Sequence, residues 1–284
     1  MTSIAVSRPP RPASSGSVPP VPARGLLFGL NYTRDAESRL SGCINDVKNV
    51  AAFLAANRPG ISLRVLDDVA TPEFCTRAGI LRELNALVDA VNADPACEYV
   101  WIHYSGHGSC TRDRSGDEAD AMDECLVPLD YKTAGMLLDD DLTRILARFA
   151  RRTTKVVCIM DSCHSGTVCD LKYRWTSASS AVLDNVRSVP VTARVVLLSG
   201  CLDSQTSADA FGVLKATLSG RKEPGGALTG CLLNVLHKAV LAKTPTDAFT
   251  VQQAVLAELK TGAFTQRPLL TSSFNLVKDL SLLA

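Results

Sequence analysis

The chain has 284 residues, of which 46% are hydrophobic, and this is enough for one large α/β domain or two small ones. Its 30 basic and 29 acidic residues give a net charge of +1, so neither a nucleic-acid partner nor an anionic membrane partner is expected. No run of 18 apolar residues occurs, and the ten cysteines follow no secretory signal. These features argue against a membrane span and against a disulfide framework, and they predict a cytoplasmic protein with reduced thiols.

Residues 1–24 form a leader that contains six of the 14 prolines and several serines. Such a composition predicts a disordered or polyproline-like arm. The basic residues Arg8, Arg11 and Arg24, with no acidic residue before Asp35, leave a transit peptide as the alternative.

The remainder, residues 25–284, alternates between short apolar runs and segments with helical spacing, and no internal repeat is visible. Strands are predicted at 25–32, 61–68, 98–108, 154–161, 193–200 and 268–274. Helices are predicted at 44–57, 138–150, 226–242 and 250–261. A further helix is predicted to begin at a cap formed by Thr71 and Pro72. The stretch 109–138 is predicted to be irregular, and 171–190 a polar surface linker. The alternation predicts an α/β fold with a mostly parallel sheet of about six or more strands and helices on both faces.

Two predicted strands end in reactive side chains. One strand runs into "YSGHG", which contains His107, and another runs into "DSCHSG", which contains Cys163. In open α/β sheets the functional site lies beyond the carboxyl ends of the strands, so we expect these two residues at one site. The histidine precedes the cysteine by 56 residues, an order and spacing found in caspases, although the local motif differs from theirs.

A cysteine and a histidine together can cleave an amide. The thiolate is the nucleophile, and the imidazole favours its formation and can protonate the leaving amine. The oxyanion that forms needs backbone N–H donors, for which Gly108 and Cys163 are the candidates. No residue is marked by the sequence as the group that orients His107.

Two acidic residues are expected beside this pair. Asp161 lies two positions before Cys163, Ser105 lies two positions before His107, and Asp46 follows the first predicted strand. A carboxylate next to a nucleophilic cysteine disfavours its thiolate form, but it suits the floor of a pocket for a basic side chain. Two carboxylates could bind an arginine or a lysine there.

Five motifs occur in order: "YSGHG", "DECLVPLDY", "LDDDL", "MDSCHSG" and "SGCLDSQTSAD". With these motifs, residues 25–284 resemble a metacaspase. The resemblance implies a single caspase-like domain with a large-subunit-like part (25–170), the linker (171–190) and a small-subunit-like part (191–284). It also implies a His107–Cys163 dyad and cleavage after Arg or Lys, with Cys43, Asp46, Ser105 and Asp161 in the pocket for the basic residue.

The resemblance further implies activation by calcium. The matching positions are Asp123, Asp139, Asp140 and Asp170, and carboxylates are suitable calcium ligands. The alternative is that Asp139, Asp140 and Asp141 only stabilise the start of a helix. Caspases pair through a sheet edge, whereas a monomer is expected here from the family.

Several alternatives remain open at this point. Cys158, Cys163, His164 and Cys169 could in principle bind zinc, but their spacing matches no common zinc motif. Cys158 and His103 are expected to be core residues, and His164 to be structural or exposed. A chain with this fold could also be a catalytically silent scaffold that binds proteins. If it is active, self-cleavage is expected in loops, after Lys172, Arg174, Arg187, Lys215, Arg221 or Lys222.

Overall fold

A computed structural model describes the chain over residues 22–112, 122–163, 169–177, 180–183, 189–200, 209–211, 224–275 and 280–283. His164 and the possible cleavage sites Arg187, Lys215, Arg221 and Lys222 lie outside these ranges, as does nearly all of the predicted arm. The first strand begins at Ala23, so the last two residues of the predicted arm belong to the domain.

Thirteen strands and six α-helices occur within these ranges. The strands are β1 (Ala23–Gly29), β2 (Ile61–Asp67), β3 (Tyr99–Ser105), β4 (Gly108–Arg112), β5 (Met122–Leu126), β6 (Leu137–Leu138), β7 (Lys155–Asp161), β8 (Tyr173–Ser177), β9 (Ser180–Leu183), β10 (Arg194–Ser199), β11 (Asp209–Phe211), β12 (Pro224–Gly226) and β13 (Leu269–Ser272). The helices are α1 (Cys43–Asn57), α2 (Arg77–Ala93), α3 (Tyr131–Ala134), α4 (Asp139–Ala147), α5 (Ala227–Ala242) and α6 (Ala248–Thr261).

The main sheet has eight strands in the order β2-β1-β3-β7-β10-β13-β8-β9. The first five run parallel, and β13, β8 and β9 continue the sheet with antiparallel pairings. The predicted α/β fold with a large sheet is therefore confirmed, and its parallel half carries the ends of β1, β3 and β7 at one edge.

Helices cover both faces of this sheet, as the buried strands require. Alternate strand residues separate into two clusters, for example Val157 in one and Val156 with Cys158 in the other. The first cluster packs against α1, α5 and α6, and the second packs against α2 and α4. Both faces are apolar, which explains why the parallel strands are almost continuously hydrophobic.

The prediction of a polar surface linker at 171–190 is wrong for the residues of this segment that the structure describes. Residues 173–183 contain the β8–β9 hairpin, and Trp175 is buried there with its Nε1 donating to Ser272 Oγ at 2.8 Å. Arg174, one of the expected self-cleavage sites, lies within β8 and not in a loop.

The prediction of irregular structure at 109–138 is also wrong. Its described residues form β4, β5 and β6, which make a separate three-stranded antiparallel sheet, and the short helix α3. These strands are short, and polar and acidic residues interrupt their apolar residues, so the sequence shows no apolar run that would indicate a strand.

The cap of the second helix differs from the prediction. Thr71 precedes a 3-10 turn at Pro72–Phe74, and its side chain makes no capping bond. The capping residue of α2 is Thr76, whose side chain accepts a hydrogen bond from the amide of Gly79 at 3.1 Å.

Among the described helices, none combines the length and the hydrophobicity that a bilayer span requires.

Candidate active site

His107 and Cys163 follow the ends of two neighbouring strands. Strands β3 and β7 pair in parallel with Ser105 opposite Asp161, and the two reactive residues lie two positions beyond this pair. Both side chains are half-buried. Gly108 contacts the same segment closely, because a Cβ atom at this glycine would lie 2.0 Å from the carbonyl oxygen of Cys163. Only glycine permits such an approach.

The imidazole of His107 is oriented by a main-chain carbonyl. Its Nε2 lies 2.7 Å from the oxygen of Ser38. A carbonyl can only accept, so Nε2 carries the proton of the neutral ring and Nδ1 is the nitrogen that can take up a proton. The ring also lies against Tyr32, with 4.7 Å between centroids.

Two buried tyrosines hold the main chain of His107. The amide of His107 donates to the hydroxyl of Tyr32 at 3.0 Å, and the hydroxyl of Tyr104 donates to the carbonyl of His107 at 2.9 Å. The Tyr32 hydroxyl itself donates to the carbonyl of Val127 at 2.6 Å. Burial raises the pKa of Tyr32 well above its ordinary value, so this hydroxyl stays protonated at neutral pH.

The predicted pocket residues come together below this pair. Asp46 lies in the first turn of α1, and its Oδ2 accepts from the hydroxyl of Ser105 at 2.7 Å. Cys43, also in that turn, is buried, and its amide donates to Asn31 Oδ1 at 2.9 Å. Asp46 is 0% exposed and Asp161 is 4% exposed, so both carboxylates are buried.

The start of α5 meets both carboxylates. The amide of Gly226 donates to the two carboxylate oxygens of Asp46, at 3.0 and 2.9 Å. Thr229 donates to Asp161 Oδ2 from its amide and from its hydroxyl, each at 2.8 Å. A Cβ atom at Gly226 would lie 2.1 Å from Asp161 Oδ2 and 2.9 Å from Asp46 Oδ2, so the two acids converge on one point.

Five residues described at this site were not anticipated from the sequence: Tyr32, Ser38, Tyr104, Gly226 and Thr229. Ser38 acts through its carbonyl, which any residue could provide, so its side chain gives no signal. Gly226 and Thr229 are separated from the carboxylates that they contact by 180 and 68 residues. A possible clue was the glycine pair at the start of a predicted helix, since a buried helix start needs partners for its amides.

The four aspartates expected to bind calcium occur around the start of α4. Asp123, Asp139 and Asp170 are buried, and Asp139 Oδ2 accepts from the amide of Glu124 at 2.6 Å. Burial, and then the carboxylate of Asp170, raise the pKa of Asp139. Asp140, in contrast, forms an ion pair with Arg144.

The chemistry of these aspartates suits a cation, but their spacing fits a metal site less well. Oxygen donors are those that calcium prefers, and the repulsion between Asp139 and Asp170 would be relieved by a positive charge. Within the described residues, however, no three His, Cys, Asp or Glu side chains gather closely enough to form a metal site. Asp170 adopts a φ of +43°, which is uncommon for any residue but glycine, asparagine or aspartate.

Cys158, expected in the core, is fully buried in β7. Cys169 lies beside it, and a hydrogen bond with Cys158, followed by burial, raises the pKa of the Cys169 thiol. Both thiols lie in an apolar environment, and that of Cys169 is kept protonated, which does not suit zinc ligands. His103 is also buried, as expected.

Comparison with known proteins identifies the family to which this chain is similar. A family model described as the metacaspase, peptidase C14 domain matches residues 23–172. Metacaspase-1 of Cryptococcus neoformans is 30% identical over 301 residues, covering 88% of this chain and 62% of its own length. Metacaspase-1B of Aspergillus niger is 32% identical over 302 residues, covering 89% of this chain and 65% of its own length. The chain spans slightly less than two thirds of the length of these relatives.

Among solved structures, caspase-1 of Spodoptera frugiperda superposes with a TM-score of 0.57 over 96% of both chains. The identity is 13%, so this likeness concerns the fold alone. Fold, family model and curated relatives agree, and the chain belongs to the metacaspase family.

Proposed function

We propose that this chain is a calcium-stimulated cysteine endopeptidase that cleaves proteins and peptides after arginine or lysine. It would act in the cytoplasm and as a monomer. The observation that carries the proposal is the pair of buried carboxylates, Asp46 and Asp161, next to the ends of the strands that lead to His107 and Cys163.

The arrangement supports a two-step hydrolysis. A basic side chain of the substrate binds against Asp46 and Asp161, which fixes the carbonyl of the same substrate residue near Cys163. The thiol of Cys163 passes its proton to Nδ1 of His107, and the resulting thiolate attacks this carbonyl, while main-chain amides, with Gly108 and Cys163 as candidates, stabilise the oxyanion. His107 protonates the leaving amine from Nδ1, and an acyl-enzyme forms. Water, deprotonated by the same imidazole, then releases the carboxylic acid product.

Calcium takes no part in these steps. Asp123, Asp139, Asp140 and Asp170 would hold it, and the positive charge would counteract the burial and the repulsion from Asp170, which together raise the pKa of Asp139. We propose that this stabilises the start of α4 and the chain around Asp170. For Asp140, calcium would compete with Arg144.

The proposal is tested with fluorogenic peptides that end in arginine, lysine or aspartate, with calcium and with chelator. We expect turnover of the two basic peptides, stimulation by calcium and no turnover of the aspartate peptide. Cys163→Ala is expected to reduce the rate to background. Turnover of the aspartate peptide would contradict the pocket assignment, and no turnover of any basic peptide under either condition would favour a silent scaffold.

Self-cleavage forms a separate part of the proposal. Lys172 precedes β8 directly, and Arg174 is paired within the sheet, so Lys172 is the more accessible of the two described sites. Incubation with calcium followed by sequencing of the fragments tests this point. The absence of new termini after any of the six basic residues in an otherwise active protein would remove self-cleavage.

A further inference from the structure

We infer that Thr229 is a positioning residue for substrate specificity, which holds Asp161 in place for the basic side chain of the substrate. This inference rests on the proposed function, because it assigns to Thr229 a role in the pocket for arginine or lysine. It adds a residue from the small-subunit-like part of the chain to a proposed pocket whose four predicted residues lie in β3, β7 and α1.

Thr229 makes two hydrogen bonds to one carboxylate oxygen of Asp161. The amide and the hydroxyl of Thr229 both donate to Asp161 Oδ2, each at 2.8 Å. Thr229 is 0% exposed and Asp161 is 4% exposed, so little water reaches these bonds. Hydrogen bonds to a charged group are shorter and stronger than neutral ones, and burial increases their strength.

The direction of the hydroxyl bond follows from the neighbouring histidine. Thr229 Oγ1 lies 3.4 Å from His103 Nε2, and His103 Nδ1 has no hydrogen-bond partner among the described residues. Because Thr229 gives its only hydroxyl proton to Asp161, Oγ1 can only accept from His103, which places the imidazole proton on Nε2. Burial lowers the pKa of His103 to about 3, so the ring is neutral. A directed chain thus runs from His103 through Thr229 to Asp161.

This chain of neutral donors explains how Asp161 can attract a cation. Neutral donors favour the ionised form of a carboxylate but add no positive charge. These two bonds therefore do not neutralise the negative charge of Asp161, which would pair with a guanidinium or ammonium group of the substrate. At the same time, two bonds from one residue fix the direction of the carboxylate.

The variants Thr229→Val and Thr229→Ser separate the hydroxyl from the rest of the residue. Valine has nearly the shape of threonine and keeps the amide, whereas serine keeps the amide and the hydroxyl. Thr250→Val is a matched control, because Thr250 occupies the same position in α6 and its amide donates to a carboxylate, Asp247 Oδ1, at 3.0 Å. Thr250 is exposed.

For Thr229→Val we expect the KM for an arginine peptide to rise about ten- to a hundredfold, the effect of one lost hydrogen bond to a charged group, with kcat nearly unchanged. The preference for arginine over its neutral isostere citrulline should fall in the same proportion. Thr229→Ser and Thr250→Val should retain the values of the unmodified protein. Melting curves of all variants verify that each is folded.

A binding measurement on the Cys163→Ala background distinguishes the two proposals. Titration with a peptide ending in arginine amide reports on the pocket without turnover. Binding that Thr229→Val weakens and Thr229→Ser retains supports the inference, even if the unmodified protein lacks activity and the proposed function fails. Equal affinity or equal KM for Thr229→Val and the unmodified protein would overturn the inference and leave the peptidase proposal intact. Absence of binding, with or without the Thr229 variants, would overturn both.

Discussion

At the scale of single residues, His107 is fixed from three sides by groups that leave its Nδ1 for chemistry. Ser38 accepts from the ring, and Tyr32 and Tyr104 hold the two polar groups of its main chain. Tyr32 itself has a φ of +52°, a conformation that costs a bulky residue of the order of 1 kcal/mol or more. The hydrogen bonds of its hydroxyl and its packing on the imidazole offset this cost. The positive φ thus belongs to the device that places the base.

Tyr32→Phe tests this device. The change removes the acceptor for the His107 amide and the donor to Val127, both buried. We expect kcat for a basic peptide to fall about tenfold with little change in KM, and the free energy of unfolding to fall by about 1–3 kcal/mol. Steady-state kinetics and denaturant unfolding measure the two effects.

The control for this experiment is Tyr99→Phe. The hydroxyl of Tyr99 is buried and donates to the carbonyl of Leu282 at 2.5 Å, at the opposite end of β3 from the residues that lead to His107. Its loss should lower stability by a similar amount without lowering kcat. Equal kcat values for the two variants would show that Tyr32 has no special role beside His107.

At the scale of elements, the start of α5 lies against the two carboxylates of the proposed pocket. Its first amides are satisfied by Asp46 and Asp161 and not by a side chain of the helix itself. Negative charge at a helix start is favourable, so pocket and helix stabilise each other. The junction between β12 and α5 must contain a glycine, because any Cβ atom at position 226 would contact both carboxylates.

Gly226→Ala should therefore impair binding more than folding. The new methyl group would displace Asp161 Oδ2 and Asp46 Oδ2, and we expect the KM for arginine peptides to rise at least about tenfold. Gly262→Ala is the control, since its methyl group would press on the ring of Phe264 instead. It should lower the melting temperature and leave KM unchanged. A Gly226→Ala protein with unaltered KM would show that the carboxylates do not bind the substrate in this arrangement.

The segment around Asp170, between β7 and β8, is the second element whose proposed role can be tested, here by removing the charge of Asp170. The change Asp170→Asn keeps a residue type that tolerates the φ of +43°, and it removes the repulsion on Asp139. In chelator, this variant should therefore melt at the same temperature as the unmodified protein or slightly higher. Calcium at 100 times its Kd should stabilise the unmodified protein by about 2.7 kcal/mol, and the variant by much less.

Asp141→Asn is the matched control for this measurement. Asp141 lies next to Asp140 but forms ion pairs with Arg77 and Arg144, and it is not one of the four expected ligands. It should keep the full response to calcium. An equal calcium shift in Asp170→Asn would contradict the assignment of the site.

At the scale of the whole molecule, the main sheet has no bare edge at β13. Strand β8 pairs with it through Thr271 opposite Arg174 and Ser272 opposite Tyr173, and β9 follows as the outermost strand. Trp175 anchors this hairpin to Ser272. Within the described residues, β13 is thus an internal strand of the sheet and not an edge strand.

We therefore expect a monomer of 30.3 kDa in sedimentation experiments at micromolar concentration. Trp175→Ala should release the hairpin, lower the stability by about 3–5 kcal/mol and promote self-association through β13. Val182→Ala, at an exposed position of β9, is expected to change neither property. A stable dimer of the unmodified protein would contradict this view of the sheet edge.

The sequence predicts the parallel half of this sheet because its strands are buried on both faces and read as apolar runs. It does not predict the β8–β9 hairpin, where Trp175 is the only buried residue of the two strands and the sequence shows no long apolar run. His107, Cys163, Asp46 and Asp161 could be brought together because parallel strands end at one edge. Ser38 could not, since it acts through its carbonyl, and Thr229 could not, since nothing local pairs it with Asp161. The roles of the dyad and the pocket remain predictions until the assays are made.

The distance along the chain between the pocket acids and their donors has a consequence for biosynthesis. Thr229 is made 68 residues after Asp161, and Gly226 is made 180 residues after Asp46. At roughly 5–20 residues per second, a nascent chain carries both His107 and Cys163 for several seconds before the residues that complete the pocket leave the ribosome. Under the proposed function, the nucleophile is thus made before the donors that order its specificity pocket. Translation itself would then delay the moment at which a new molecule could cut its neighbours.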